Sequence, residues 1–329
     1  MIAPLVVSTL IPLSQDSMAP VFGVASPAYV AIRAILTIAL VGLLGILSLH
    51  LAVLPLACRS ASIGTPVPNG VGERASLWWT RALLWTILAT TLARLAAQHA
   101  AFFGTEESWS RSTLGALLLD SSWGRGWWLA LAAITVGLWG EYRIRHVRAF
   151  GWQALTVAAV ALALSIAMSG HAAVSPTATV IHTLHVIGAG GWIGSLAAVM
   201  LIAIPAVLRS SGDNRHGQIA AVMRGFSAPA LGFAGLLTVT GTIAAWRNIG
   251  AVAELVHSLY GQVLLVKLAL LSVAAGTGAY NWKRVLPSLG SGASSTARLR
   301  RSAAVELVAA LAVLIVTAVL VATPMPGDP

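Results

Sequence analysis

Charge is scarce in this 329-residue chain. Asp, Glu, Lys and Arg together supply 9% of it, against about 25% in soluble domains. Hydrophobic residues make up 57% and the mean hydropathy is +0.85. That leaves too little polar material to cover a water-facing surface, so the chain reads as an integral membrane protein. Acidic residues are scarcest, ten against twenty basic ones, and no paired carboxylates suggest calcium, magnesium or a di-iron centre. A single cysteine, Cys58, excludes a disulfide framework and any CxxC metal or redox pair. No glycine-rich phosphate loop ending in Lys-Ser/Thr occurs, and no loop is long enough for a soluble ATPase domain. A nucleophile–base–acid set for hydrolysis is also missing, so the expectation is a protein that is not an enzyme. The alternating short strands of an outer-membrane barrel are absent too.

Long apolar runs are what the chain has. Eight stretches, approximately 29–57, 77–100, 123–144, 150–169, 178–208, 222–247, 258–281 and 302–323, are each long enough to cross a bilayer as a helix. The expected fold is therefore all-α, a polytopic membrane protein with eight transmembrane helices. Basic residues alternate between the loops: Arg59 and Arg74 in the first, Arg143, Arg145 and Arg148 in the third, Arg209, Arg215 and Arg224 in the fifth, and Lys283, Arg284, Arg298, Arg300 and Arg301 in the seventh. The intervening loops are poor in base. The positive-inside rule then puts the odd loops in the cytoplasm and both termini outside. The formal charge of +10 is explained by these loops rather than by nucleic-acid binding. Residues 1–28 are apolar, carry Asp16 and lack the basic start of a cleavable signal. They read as an outer leader, with 29–169 and 170–324 as two four-helix halves and 325–329 as an outer tail.

Two internal echoes suggest that the halves are parallel repeats. Ala52–Arg59 matches Ile202–Arg209, each closing a helix with Pro and Arg. Leu119–Ala133 matches Val256–Leu270, sharing a Ser-x-aromatic-Gly start. The second half carries His185, His257 and Lys267 where the first has Ile35, Asp120 and Ala130. Most of the twelve tryptophans fall near span ends as an interfacial belt; Trp192 lies deeper.

The histidines are unevenly distributed. His99, His171, His182, His185 and His257 belong to the outer ends or loops, whereas His50 is near an inner end and His146 and His216 are in inner loops. His182 and His185 are three apart and share a helix face. Trp192 lies seven residues beyond His185, two turns deeper. His171 ends the preceding hairpin with Met168 beside it. Gly188, Gly190, Gly191 and Gly194 would let a neighbouring helix approach closely. Converging imidazoles with a thioether suit copper in either oxidation state, and imidazoles serve zinc equally well. A membrane histidine also commonly acts as a helix–helix hydrogen bonder, and outer loop-end histidines such as His99 and His257 are commonly just solvated. Lys267, deep in its span, either snorkels or lines a polar route, and Glu306 and Asn281 are polar groups near the opposite face. Arg33 and Arg94, nearer helix ends, are expected to snorkel.

These segments resemble the copper resistance protein D (CopD) family of bacterial inner-membrane proteins. The resemblance runs through His171, His182-Thr-Leu-His185, Gly191-Trp192-Ile193-Gly194, Gly225-Phe226-Ser227, Thr240-Gly241, Tyr260-Gly261 and Lys267 to Asn281, Glu306 and Pro324. It covers about residues 168–324 closely and the first half only in helix pattern. It implies an eight-helix inner-membrane transporter that moves copper from periplasm to cytoplasm without ATP. His171, His182 and His185 would then be the first ligands, and Lys267 and Glu306 part of a polar interior. It also implies a separate periplasmic copper chaperone (CopC-like) as partner. Two rivals stay open: a b-type haem electron-transfer protein, with histidines as axial ligands, and a membrane receptor or scaffold for the chaperone.

Overall fold

The computed structural model describes residues 26–60, 70–104, 107–170, 173, 175–209, 214–288 and 293–323. His171, the tail 325–329 and all of the leader before Ser26 lie outside them. Every regular element among the described residues is helical, so the chain is all-α. The long helices are α1 (Pro27–Arg59), α2 (Glu73–Phe103), α4 (Ser122–Ile144), α5 (Arg148–Met168), α6 (Pro176–Arg209), α7 (Arg215–Ile249), α9 (Leu259–Val285) and α10 (Ala293–Ala322). Two short helices, α3 (Arg111–Leu118) and α8 (Glu254–His257), fill the second and sixth connections. Each expected span coincides with one long helix.

Six of these, α1, α5, α6, α7, α9 and the 298–322 part of α10, are both long and apolar enough to cross a membrane, and the chain is a multi-pass membrane protein. α2 and α4, at 31 and 23 residues, are long enough but less apolar. Arg81, Arg94, Gln98 and a run of threonines dilute α2, and Arg125, four glycines and four tryptophans dilute α4.

Hydrogen bonds between neighbours show that successive long helices run antiparallel. Tyr29 near the start of α1 donates to Gln98 near the end of α2 (3.2 Å), and His50 near the end of α1 meets Ser76 near the start of α2 (2.8 Å). Trp127 of α4 donates to the Thr91 carbonyl of α2 (3.0 Å), His185 of α6 meets Thr240 of α7 (3.2 Å), and Asn281 of α9 donates to Glu306 of α10 (3.2 Å). The N-terminal ends of α1, α4, α6 and α9 therefore share one end of the bundle with the C-terminal ends of α2, α5, α7 and α10.

α1 and α6 form the centre, and α1 also packs against α2, α5 and α10. The approach depends on glycine: a Cβ on Gly45 would overlap the Gly194 backbone, and a Cβ on Gly194 would overlap the Val41 carbonyl. On the other side of α6, Gly191 lies flat against the Phe233 ring of α7. With no hydrophobic force to drive helices together in lipid, such close backbone contact is what holds them.

Three helices close in the same way. π-Helical turns at Leu49–Val53, Val199–Ala203 and Asn281–Val285 each end two residues before a proline, Pro55, Pro205 and Pro287. Proline lacks an N–H, and its ring clashes with the carbonyl four residues earlier; the wider turn relieves that clash without breaking the helix. Ala52–Arg59 and Ile202–Arg209 thus share a conformation as well as a sequence. The second echo is matched too. Ser121 caps α4 by accepting from Gly124 N (2.9 Å), and Ser258 caps α9 by accepting from Gly261 N (3.0 Å). In both, the next-to-last position is a buried aromatic, Trp123 or Tyr260, and a Cβ on the glycine would strike the preceding short helix or its C-terminal carbonyls.

Candidate functional site

The end of the bundle that bears the α1 N-terminus gathers most of the singled-out residues, but they do not form one cluster. His182 and His185 are half-buried on α6. Ser175 caps that helix by accepting from Ala178 N (3.2 Å), with Pro176 in the first turn, and this fixes where its face begins. The His185 Nδ1 contacts Thr240 Oγ1, and its ring lies where a Cβ on Gly241 would be 3.1 Å from Cε1. Thr240-Gly241 is therefore a seat for this imidazole: the hydroxyl meets Nδ1, and the Leu237 backbone also hydrogen-bonds the ring. Lys267 and His182 lie within electrostatic range of His185, and Lys267 and Arg33 within that of His182.

The other candidates are separate. His99 is buried (2% exposed), stacks on Trp109 at 4.4 Å and contacts Thr113 Oγ1 at 3.3 Å. It ties α2 to the second connection. His257 is exposed on α8, and Met168 is half-buried at the last position of α5. Trp192 is buried inside a π-helical turn, Gly190–Gly194. Among the described residues no three His, Cys, Asp or Glu side chains come together as a metal site. At the opposite end, His50 stacks on Trp152 at 4.4 Å while bonding Ser76.

Lys267 is half-buried on α9 and makes no hydrogen bond or ion pair among the described residues. Toward the other end, Glu306 is 4% exposed and accepts from Asn281 Nδ2; Ser302 in turn donates to the Asn281 side-chain carbonyl. Gly278 makes room for this carboxylate, since a Cβ there would lie 3.0 Å from Glu306 Oε1. The expected pair of polar groups is thus one network between α9 and α10, in which the π-turn at Asn281 presents the amide.

Sequence reasoning missed two buried charges. Glu141, 3% exposed, accepts both carboxylate bonds from Arg81 Nη2 (2.9 and 3.0 Å), and Arg145 lies 3.7 Å away. An acidic residue one turn from the basic end of α4 was the available signal. Arg94 does not snorkel: it is 6% exposed. It lies a full two turns from the end of α2, too far for its side chain to clear the packed helices.

The family model of copper resistance protein D matches residues 220–320, and that of the copper resistance protein D-like N-terminal domain matches residues 24–179. The likeness therefore extends into the first half, beyond the stretch legible from the motifs. The copper transport protein CutJ of Bacillus subtilis (strain 168) is 30% identical over 192 residues, which is 57% of this chain and 34% of that protein. The match thus spans about a third of the length of that curated relative. No solved structure matches the chain.

Proposed function

Because this chain belongs to the copper resistance protein D family, we propose that it is a copper transporter that carries the ion across the bacterial inner membrane without hydrolysing ATP. The ion is taken up at the periplasmic end of the bundle and released to the cytoplasm. The observation that carries this reading is the His182–His185 pair on α6, with His185 seated by Thr240 and Gly241. A hydrogen bond to one ring nitrogen orients the other toward a metal and fixes the tautomer. His171, after the α5–α6 hairpin, is the third ligand in this reading, with Met168 nearby. His99 and His257 belong to the same end without belonging to the same site.

Eight spans, N-out and C-out, follow from the alternation of basic loops, with α2 and α4 crossing beside the six more apolar helices. The matched π-turn–proline closures and capped helix starts support two parallel four-helix repeats. Within the bilayer, Lys267, then Asn281 and Glu306, supply the polar groups along the second half, and Glu306 is the acceptor for a cation leaving toward the cytoplasm. A separate CopC-like chaperone delivers the copper.

The test is copper accumulation by vesicles carrying the reconstituted chain, with His185→Ala and His182→Ala beside the wild type and membrane insertion checked for each. Uptake that falls in both variants supports the assignment, and unchanged uptake overturns it. Metal analysis of the purified protein separates the rivals: iron with a haem absorption band favours electron transfer. Copper that binds but never accumulates in vesicles favours a receptor for the chaperone.

A further inference from the structure

At the same end of the bundle, three buried hydrogen-bond donors have no partner among the described residues: Arg33 Nη1, Arg94 Nε and Trp123 Nε1. They are half of the buried side-chain N and O atoms in that condition among the described residues, and all three are donors. Arg94 and Trp123 are each 6% exposed. The two guanidinium groups make no hydrogen bond or ion pair among the described residues; their contacts are with ring faces. Arg33 Cζ lies 5.1 Å from the Tyr29 ring centre and Arg94 Cζ lies 5.9 Å from that of Trp123.

The helix register brings the arginines to one level. α1 and α2 are antiparallel, and Tyr29 Oη donates to Gln98 Oε1 across the pair. One turn deeper on each helix, four residues on from Tyr29 and four residues back from Gln98, stand Arg33 and Arg94. The groups lie within electrostatic range of each other. Among the described residues no acid answers them. The described carboxylates at this end, Glu107, Asp120 and Glu254, are exposed or half-buried, and none pairs with either arginine. Two like charges held close together in a low-dielectric interior repel, and each unmet donor adds a desolvation cost.

We propose that Arg33, Arg94 and the Trp123 indole form a binding site for a phosphate-type oxyanion between α1, α2 and α4. Guanidinium forks match the oxygens of such a group, and an indole N–H can only donate. The depth suits a lipid phosphate as well as free phosphate. α1 has 33 residues and is about 50 Å long, against about 30 Å of hydrocarbon. Its ends therefore project about 10 Å, and Arg33, six residues in, reaches the boundary of the headgroup layer. The site requires only acceptor oxygens and negative charge, so it stands apart from the copper reading.

The test uses the full chain in a neutral, phosphate-free detergent after lipid removal. Thermal unfolding is followed while inorganic phosphate, or phosphatidylglycerol in mixed micelles, is titrated against sodium chloride of matched ionic strength. The wild-type midpoint should rise with at least one of the two, and the apparent affinity should fall at least tenfold in Arg94→Gln and in Arg33→Gln. A response to phosphatidylglycerol alone identifies a lipid site, and a response to inorganic phosphate identifies a free oxyanion. Arg94→Lys, which keeps the charge and loses the fork, should bind more weakly than wild type and serves if Arg94→Gln does not fold. No rise beyond the chloride control, or variants that respond as the wild type does, overturns the proposal.

Discussion

Replacing Gly45 with Ala tests the account of how the bundle is held. Taken alone, Gly→Ala inside a helix is stabilising by about 0.5–1 kcal/mol, because alanine loses less backbone entropy. At Gly45 the added methyl would occupy the same space as the Gly194 backbone. Backbone cannot rotate away as a side-chain tip can, so α1 and α6 must part by about 1 Å, and the close-packed seam loses its contacts on both sides. Overpacking of this kind costs about 1–3 kcal/mol or more, which exceeds the propensity gain and makes the net change destabilising. Gly276, on α9, is the matched control, with nothing within 4 Å of an added Cβ, so Gly276→Ala should be neutral or stabilising. The assay is unfolding of both variants in detergent micelles, by heat or by added denaturing detergent, followed through helical circular dichroism. Gly45→Ala should unfold first, clearly below wild type and below Gly276→Ala. Equal midpoints for the two variants would refute the claim that the Gly45–Gly194 contact is closed to a single methyl.

Two further outcomes follow from particular residues. Glu141→Gln keeps an acceptor but removes the charge that Arg81 answers; since the Arg81 side chain is 50% exposed, the loss should be modest, about 1 kcal/mol, measured as a lower unfolding midpoint. If His182 and His185 ligate copper, protons compete for the same nitrogens. Binding should then be full at neutral pH and weaken as the medium is acidified, which a copper titration at stepped pH will read.

The long helices were legible because a bilayer demands runs of apolar residues, and that demand is written in composition. The starts of α4 and α9 were legible as well, since a capping serine, a buried aromatic and a glycine are local requirements. The π-turns were not, although Pro55, Pro205 and Pro287 stood in view. A proline within a helical pattern reads as a break, and only its packing neighbours decide whether the helix widens and continues. Arg94 shows the same limit. Its place toward the outer part of its span suggested snorkelling, and the ring it meets instead, Trp123, comes from α4.

What the sequence determined by itself is therefore the membrane class, the helix positions and the family likeness, all of which depend on residue type and order along one dimension. What only the tertiary structure decided is which of those residues meet. His185 finds Thr240 and Gly241, His99 turns instead to Trp109, and Arg33 comes level with Arg94 with no acid paired to either among the described residues. Such meetings are fixed by helix rotation and by the close approach that glycine permits. Neither has a signature in the spacing of residues on a single helix.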